Sequence, residues 1–238
     1  MSAGYVVSTS PSVASSRWSL DRIAGMAGLG FAIIVALINI FIGSLQPPAT
    51  DAGANEIVAF VQDNKQALSV AFAGIPAGVF LLFAFGASAY SRLASGSREA
   101  EFWARFGLVG IVLVEVMFIT RTIFEVVLVA NIDRLASEST MVEVLWQLQG
   151  ATMTANGLAL AVALTGLARS GRLSNVIPAW LERMAYGAAA LFVAGSMAVI
   201  PGLEGSPIGL TGLVAFVTWL VWLGITSVRL LRSSEQPI

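Results

Sequence analysis

Six apolar segments, each long enough to cross a lipid bilayer, take up most of this 238-residue chain. About 20 helical residues, rising about 1.5 Å each, span the hydrocarbon core of a membrane. The apolar runs are continuous, whereas a membrane β-strand would alternate polar and apolar residues. We therefore predict an all-α, polytopic membrane protein with six transmembrane helices, at residues 23–45, 67–90, 106–130, 145–167, 184–200 and 208–230.

Composition supports lipid as the surrounding solvent. Hydrophobic residues make up 57% of the chain and charged residues 11%, and the mean hydropathy is +0.83, a balance that cannot cover a water-soluble surface. The net charge of -1 argues against a nucleic-acid partner, and the predicted partner is the bilayer itself. We predict a single transmembrane domain over residues 21–232, with a disordered, Ser-rich cytoplasmic tail at 1–20 and a short tail at 233–238.

The basic residues of the connecting segments predict the orientation in the membrane. Ten arginines lie before the first span, between the second and third, between the fourth and fifth, and at or after the end of the sixth, whereas only Lys65 and Arg134 lie in the other connections. Short cytoplasmic segments of membrane proteins carry such an excess of Lys and Arg. Both termini are therefore predicted to be cytoplasmic.

The residue types that are missing restrict the chemistry. The chain contains no cysteine and no histidine, which excludes disulfides, thiol nucleophiles, His-ligated haem or metal sites, and a histidine general base. We also find neither an Asp-rich motif for lipid-phosphate transfer nor the Gly-x-Gly-Asp motif of membrane aspartyl proteases. The sequence therefore favours a protein that is not an enzyme, with no catalytic residue, no metal site and no cofactor.

The third span carries three charged residues, Glu115, Arg121 and Glu125. A charge at the centre of a membrane costs about 2.5 to 3.5 kcal/mol on insertion scales, so such residues indicate a function or an assembly role. On a helix all three share an arc of about 120°, and Arg121 and Glu125 are spaced to form an ion pair. Glu115 lies about 9 Å along the axis from Arg121 and is left without a cation, so it is a candidate proton site or hydrogen-bond donor.

The fourth span offers polar side chains that can face these charges. Gln149, Thr152 and Asn156 follow the i, i+3, i+7 spacing of one helical face. A short connection makes the third and fourth helices antiparallel neighbours, which sets this face against the charged arc. Asn39 in the first span, and a stripe of the sixth span, can complete a polar pocket; the residues of that stripe are Thr211, Thr218 and Trp222.

Two interpretations of the polar residues remain open at the level of sequence. The first is a site that binds or translocates an ion, a proton or a small polar or lipidic molecule. The second is an internally neutralised bracket that fixes helix register or docks a partner chain, with the amides making interhelical hydrogen bonds. The corresponding functions are a small-molecule-binding or translocating membrane protein and, alternatively, a non-catalytic accessory subunit that meets other membrane chains or a second copy.

Two short patterns predict local structure. Gly74 and Gly78 form a GxxxG motif with Pro76 inside it, which predicts a close-packing helix face with a kink. Thr140 and Glu143 match a capping box, which predicts that the fourth helix begins a turn or more before its span.

The chain also resembles a known group of proteins in three short stretches. These are the Arg-Ile-Ala-Gly opening at residues 22–25, an amphipathic outer loop, and the stretch Ala-Arg-Ser-Gly-Arg-Leu at 168–173 followed by Ile-Pro-Ala-Trp-Leu at 177–181. They are similar to uncharacterised bacterial multi-pass membrane proteins of a domain-of-unknown-function family, in which Ser-Gly-x-Leu-Pro-x-Trp-Leu recurs. Here Ser174, Asn175 and Val176 intervene. The resemblance implies a six-helix protein of the bacterial inner (plasma) membrane and supplies no catalytic residues.

Overall fold

The structure, a computed structural model, describes residues 19–197 and 208–233. Within these ranges the chain forms seven α-helices and no strand, which confirms the predicted all-α fold. Most of the predicted tails, and residues 198–200 of the fifth predicted span, lie outside the described residues. The helices are α1 (Leu20–Ser44), α2 (Ala54–Ala73), α3 (Ile75–Leu93), α4 (Arg98–Leu135), α5 (Ser139–Leu173), α6 (Ala179–Ser196) and α7 (Ile208–Ser233).

Four stretches of helix in the described part of the chain are long and apolar enough to cross a membrane, judged by length and composition. They are α1, the combined stretch of α2 and α3 (Ala54–Leu93), α5, and Leu210–Ser233 of α7. The helices α4 and α6, which contain the third and fifth predicted spans, are not among these four. The chain is thus an apolar helical protein compatible with a membrane location.

Six of the helices form a closed ring in chain order. Helix α1 packs against α3, α3 against α4, α4 against α5, α5 against α6, α6 against α7, and α7 returns to α1. Apolar side chains fill the centre of the ring, among them Phe85 and Trp222, each 1% exposed. Other large apolar side chains point outward, such as Phe80 of α3, which is 72% exposed. An apolar outer surface of this kind is suited to contact with lipid.

Small residues bring α4 and α5 together along the largest helix contact in the structure. A Cβ atom added to Gly107 would lie only 2.7 Å from the backbone nitrogen of Leu167, and one added to Gly110 would collide with the backbone of Ala163. Only glycine permits so close an approach of two backbones. These contacts fix the register of the antiparallel pair, with Gly110 opposite Ala163.

Helix α2 packs on the C-terminal end of α4 and the N-terminal end of α5 and forms a second hydrophobic cluster. Ile57 and Val61 of α2 are almost completely buried against residues such as Leu128, Ile132 and Trp146. The predicted amphipathic loop is therefore a long helix whose apolar face is covered by protein. At the edge of this cluster a salt bridge of 2.7 Å joins Lys65 Nζ to Asp133 Oδ2, and the hydrogen bond from Lys65 lowers the pKa of Asp133.

The second predicted span is divided by a break between α2 and α3. Helix α2 ends at Ala73, and Pro76 lies in the first turn of α3, where its missing N–H leaves no hydrogen bond unmade. Gly74, at the break, approaches α1: a Cβ added there would lie 3.2 Å from Ile38 Cδ1, whereas one added to Gly78 would meet nothing within 4 Å. Only the first glycine of the predicted GxxxG motif therefore makes a close contact.

The predicted capping box is wrong, although the helix does begin more than a turn before the predicted span, at Ser139. Helix α5 begins at Ser139 after Glu138, so that Thr140 is already inside the helix. The Oε1 atom of Glu143 instead accepts a hydrogen bond of 3.0 Å from the backbone N–H of Ala54. The first N–H groups of a helix have no partner within the helix, and Gly53, the N-cap of α2, has no side chain to supply one. Glu143 therefore caps a different helix.

Two valines of α2 should differ in their contribution to stability, because only one of them is buried. Val61 is 1% exposed and Val70 is 65% exposed. Val61→Ala removes buried methyl groups and leaves a cavity, and we expect it to lower the free energy of unfolding by about 2 kcal/mol, whereas Val70→Ala has little effect. Trp146, which lies in the same cluster, provides a fluorescence signal for thermal unfolding. Equal melting temperatures for the two variants would show that α2 is not packed in this way.

Candidate functional site

Arg121 stands at the centre of a group of polar contacts between α4 and α5. Its Nη2 donates to Glu125 Oε1 at 2.6 Å, its Nε donates to Gln149 Oε1 at 3.3 Å, and its Nη1 lies 3.4 Å from the sulfur of Met153. The Arg121 and Glu125 side chains are 19% and 13% exposed. We call these four residues the Arg121 bracket, because they join two turns of α4 to two turns of α5.

Helix geometry explains how the bracket forms. Arg121 and Glu125 are four residues apart on one face of α4, and Gln149 and Met153 are four residues apart on one face of α5. The close contact of Gly110 with Ala163 sets the antiparallel register that brings the two faces together. The charges of Arg121 and Glu125 cancel within the bracket, and each of the three guanidinium nitrogens has an acceptor. Removing one partner would leave the other charge poorly compensated in a low-dielectric environment.

Met153 is the member of the bracket that the sequence analysis missed. A thioether sulfur is a weak acceptor, so it carries no polar signal in a sequence. The available signal is positional, because Met153 follows Gln149 by one helical turn and therefore lies on the same face. Thr152, which the sequence analysis placed on the face of Gln149 and Asn156, makes a different contact. Its hydroxyl donates to the carbonyl of Leu148 within its own helix, at 2.7 Å, and it takes no part in the bracket.

Glu115 lies apart from the bracket. It is 1% exposed, and neither of its carboxyl oxygens has a hydrogen-bond partner among the described residues. Along α4 it is six residues, or about 9 Å, from Arg121. The sequence predicted a carboxyl without a cation at this position, and the geometry has that arrangement. An unpartnered buried carboxyl is unusual, because buried polar groups in folded proteins are nearly always hydrogen-bonded.

Asn156 is a second buried polar group with an unpartnered atom. It is 4% exposed, and its Oδ1 has no hydrogen-bond partner in the described ranges. Since Gly110 stands opposite Ala163, Glu115 is level with the turn of α5 that holds Asn156 and Ala159. Among the described residues, five buried side chains have a polar atom without a partner. Three of them, Trp222, Thr226 and Ser227, are on α7, and the other two, Glu115 and Asn156, lie at about the same depth on the two helices of the α4–α5 pair.

A cavity of about 240 Å³ adjoins the bracket between α1, α5, α6 and α7. Its polar lining includes Asn39, Thr154 and Ser196, and Met153 forms a wall that separates it from Arg121. The Thr154 and Ser196 hydroxyls and the Asn39 amide each donate to a backbone carbonyl, at 3.1, 2.9 and 2.8 Å. Of the additional polar residues predicted to complete a pocket, Asn39 lines this cavity, whereas Thr211, Thr218 and Trp222 do not.

Comparison with known proteins gives no match: no protein-family model, no curated protein and no solved structure corresponds to this chain. Within residues 19–197 and 208–233, no three or more acidic side chains come together in a way that could hold a metal ion.

The bracket predicts a large effect of removing its cation. Arg121→Ala leaves the partly buried Glu125 without its partner, and we expect the free energy of unfolding to fall by about 3 kcal/mol. The matched control is Arg105→Ala on the same helix, because Arg105 also pairs with a glutamate four residues away, Glu101, but its side chain is 66% exposed. Exposed pairs contribute about 1 kcal/mol or less.

Melting temperatures of the purified proteins measure this difference. The double variant Arg121→Ala with Glu125→Ala should recover part of the loss, because it removes both charges. A loss for Arg121→Ala no larger than that for Arg105→Ala would mean that the bracket faces water or lipid headgroups.

Proposed function

We propose that this chain is a six-span protein of the bacterial inner membrane with both termini in the cytoplasm, and that it binds a proton, an ion or a small hydrogen-bonding molecule at Glu115. The observation that carries the proposal is the carboxyl group of Glu115, which is buried and has no partner for either oxygen. An ionisable side chain of this kind inside a membrane helix is a functional-site candidate because of its cost.

Distances along α4 support a position at mid-membrane. Arg105 is the last arginine of α4 before its apolar stretch. Its Nε lies 3.3 Å from the hydroxyl of Tyr90 in α3. Taking Arg105 as the inner boundary, Glu115 lies about 15 Å further along the helix, which is half of a hydrocarbon core of about 30 Å. Arg121 and Glu125 then lie at about 24 and 30 Å, near the outer boundary. Only Glu115 carries the full cost of a central position.

The two parts of the charged arc therefore have different roles. The Arg121 bracket is internally satisfied, which suits the interpretation as a device that fixes the register of α4 and α5. Glu115 is unsatisfied, and its packing gains nothing from a carboxyl group. A buried polar group without a hydrogen bond lowers stability by about 1 to 3 kcal/mol, so an apolar residue would stabilise the fold more.

The surroundings of Glu115 indicate which class of ligand could reach it. An apolar groove of about 570 Å³ runs between α3 and α4 and opens to the outside of the ring. Its lining includes Phe83 and Ile119, and Ile119 lies one helical turn beyond Glu115 on the same side of α4. A lipid-soluble molecule could enter by this groove. Because a carboxyl group binds protons, cations and hydrogen-bond donors, the favoured ligand is a small apolar molecule with an amine or hydroxyl group, or a proton alone.

The same groove is the observation that favours the alternative function, an accessory subunit of a larger membrane complex. Phe80 and Ile123 line it and are 72% and 55% exposed. A helix of another membrane chain could pack against such side chains. Native mass spectrometry in a mild, lipid-preserving medium separates the two functions. A chain that carries a bound small molecule supports binding at Glu115, and co-purifying subunits support the accessory role.

Replacement of Glu115 tests the binding site directly. Glu115→Gln keeps the size of the side chain and removes its ability to bind a proton or a cation. We expect the free energy of unfolding to change by less than about 1 kcal/mol, because no native contact is lost. If native mass spectrometry detects a bound small molecule on the unaltered protein, that molecule should be absent from Glu115→Gln. It should be present in the control Glu101→Gln, whose glutamate is on the same helix but exposed. Severe loss of folded protein in Glu115→Gln would contradict this assignment.

The proposed orientation makes a separate prediction. A reporter enzyme that is active only in the cytoplasm should be active when it is fused after Arg232. A reporter that is active only in the periplasm should be active when it is inserted after Arg134, between α4 and α5. Fusion assays in intact cells measure both. A periplasmic signal after Arg232 would overturn the count of six spans.

A further inference from the structure

A cavity of about 260 Å³ lies at the arginine-rich end of the bundle, remote from Glu115. Three arginines line it, Arg92 at the end of α3 and Arg229 and Arg232 at the end of α7, together with Asn175, Val176 and Ser233. We propose that this cavity binds a phosphate-bearing anion. The inference is independent of the function proposed for Glu115.

Two of the three arginines, Arg229 and Arg92, are held in place by contacts that leave donors available. Arg229 donates its Nε to the backbone carbonyl of Val176 at 3.0 Å, which fixes the plane of the guanidinium group and leaves the two Nη nitrogens for a ligand. Arg92 points its Nε towards Asp21, with 3.7 Å between Nε and Oδ2. Guanidinium groups with free, parallel N–H donors are the preferred partners of phosphate oxygens.

The loop that supplies Val176 is itself rigidly built. Asn175 has a φ of 57°, in the left-handed region that asparagine tolerates better than most residues. The backbone N–H of Val176 donates to Gly171 O at 2.8 Å, and that of Asn175 donates to Arg172 O at 3.2 Å. This is the hydrogen-bond pattern of a Schellman motif, which closes the end of α5. Residues 174–176, which interrupt the short motif found in the sequence, therefore form the edge of the cavity.

Charge also favours an anion. The cavity has three positive side chains, and among the described residues the acid in contact with this group is Asp21, which lies beside Arg92 and accepts a hydrogen bond of 3.3 Å from Ser233 Oγ. Counting these described side chains alone, three positive charges against one negative leave an excess of two. The C-terminal ends of α3 and α7 carry partial negative charge and offset part of this excess. The remaining positive charge and the polar rim suit a phosphate mono- or diester.

The phosphate group could belong to an anionic lipid of the inner leaflet or to a soluble phosphate ester, because both present the same oxygens. The test uses the purified full-length chain in a mild detergent and native mass spectrometry. The probes are dioctanoyl-phosphatidylglycerol, the zwitterionic dioctanoyl-phosphatidylcholine and glycerol 3-phosphate. The variants are Arg92→Gln, Arg229→Gln and Arg232→Gln.

The matched control is Arg183→Gln. Arg183 is an exposed arginine of α6 at the same end of the bundle, and like Arg229 it donates its Nε to a backbone carbonyl, here at 3.4 Å. Unlike Arg229, it does not line the cavity. Its replacement changes the net charge by the same amount as that of Arg229. A purely general attraction between a basic surface and anions would be weakened equally by both variants.

We expect Arg229→Gln to weaken binding of at least one phosphate probe by about tenfold, through the loss of charge-assisted hydrogen bonds, and Arg183→Gln to weaken it less than about twofold. Binding of phosphatidylglycerol alone identifies a lipid headgroup as the source, and binding of glycerol 3-phosphate identifies a soluble ester. If Arg229→Gln does not fold, Arg92→Gln and Arg232→Gln carry the same expectation. Equal effects of cavity and control variants, equal affinity for phosphatidylcholine, or no binding of either phosphate probe would overturn the proposal.

Discussion

The backbone contact between α4 and α5 determines where every candidate site residue lies. In lipid no hydrophobic force drives helices together, so their association depends on close packing and on interhelical hydrogen bonds. Gly107 and Gly110 permit that packing, and the register they set brings Gln149 and Met153 opposite Arg121. A slip of one helical turn would move the acceptors by about 5.4 Å and leave the guanidinium without them. Packing and electrostatics thus specify the same register.

The two kinds of buried polar group in this helix pair have opposite energetic characters. The Arg121 bracket is neutral and satisfied, and it stabilises one arrangement of α4 and α5 against others. Glu115 and Asn156 are buried at the same depth with unpartnered oxygens, and each lowers the stability of the fold. A protein that keeps an unsatisfied carboxyl at the centre of a helix bundle gives up stability there, as functional sites commonly do. The groove between α3 and α4 is lined by Ile119, one helical turn from that carboxyl.

Periodicity and spacing predicted an all-α chain, the pairing of Arg121 with Glu125 and the facing of α4 and α5, because these follow from helix geometry and short connections. The second predicted span is instead divided between two helices, α2 and α3. Contacts between residues distant in sequence were not predictable. Glu143 caps α2 rather than its own helix, because the free N–H of Ala54 lies beside it only in the folded chain. Thr152 satisfies its hydroxyl within its own helix, while Met153, an apolar residue by any scale, contacts the guanidinium. The break at Gly74 was visible in the sequence as a kink.

In the proposed orientation, α4 crosses the membrane with Glu115 at its midpoint and the Arg121 bracket near the outer surface. The chain contains no cysteine, so single cysteines introduced at Val109, Val116 and Ile123, which are 56%, 52% and 55% exposed, can each carry a spin label. Relaxation by oxygen and by a water-soluble nickel chelate reports the depth of each label in a lipid bilayer. A position of Glu115 at the membrane midpoint predicts that the label at Val116, next to Glu115, is the deepest and that the labels at Val109 and Ile123 are shallower. A depth maximum at Ile123, or no gradient along α4, would contradict it.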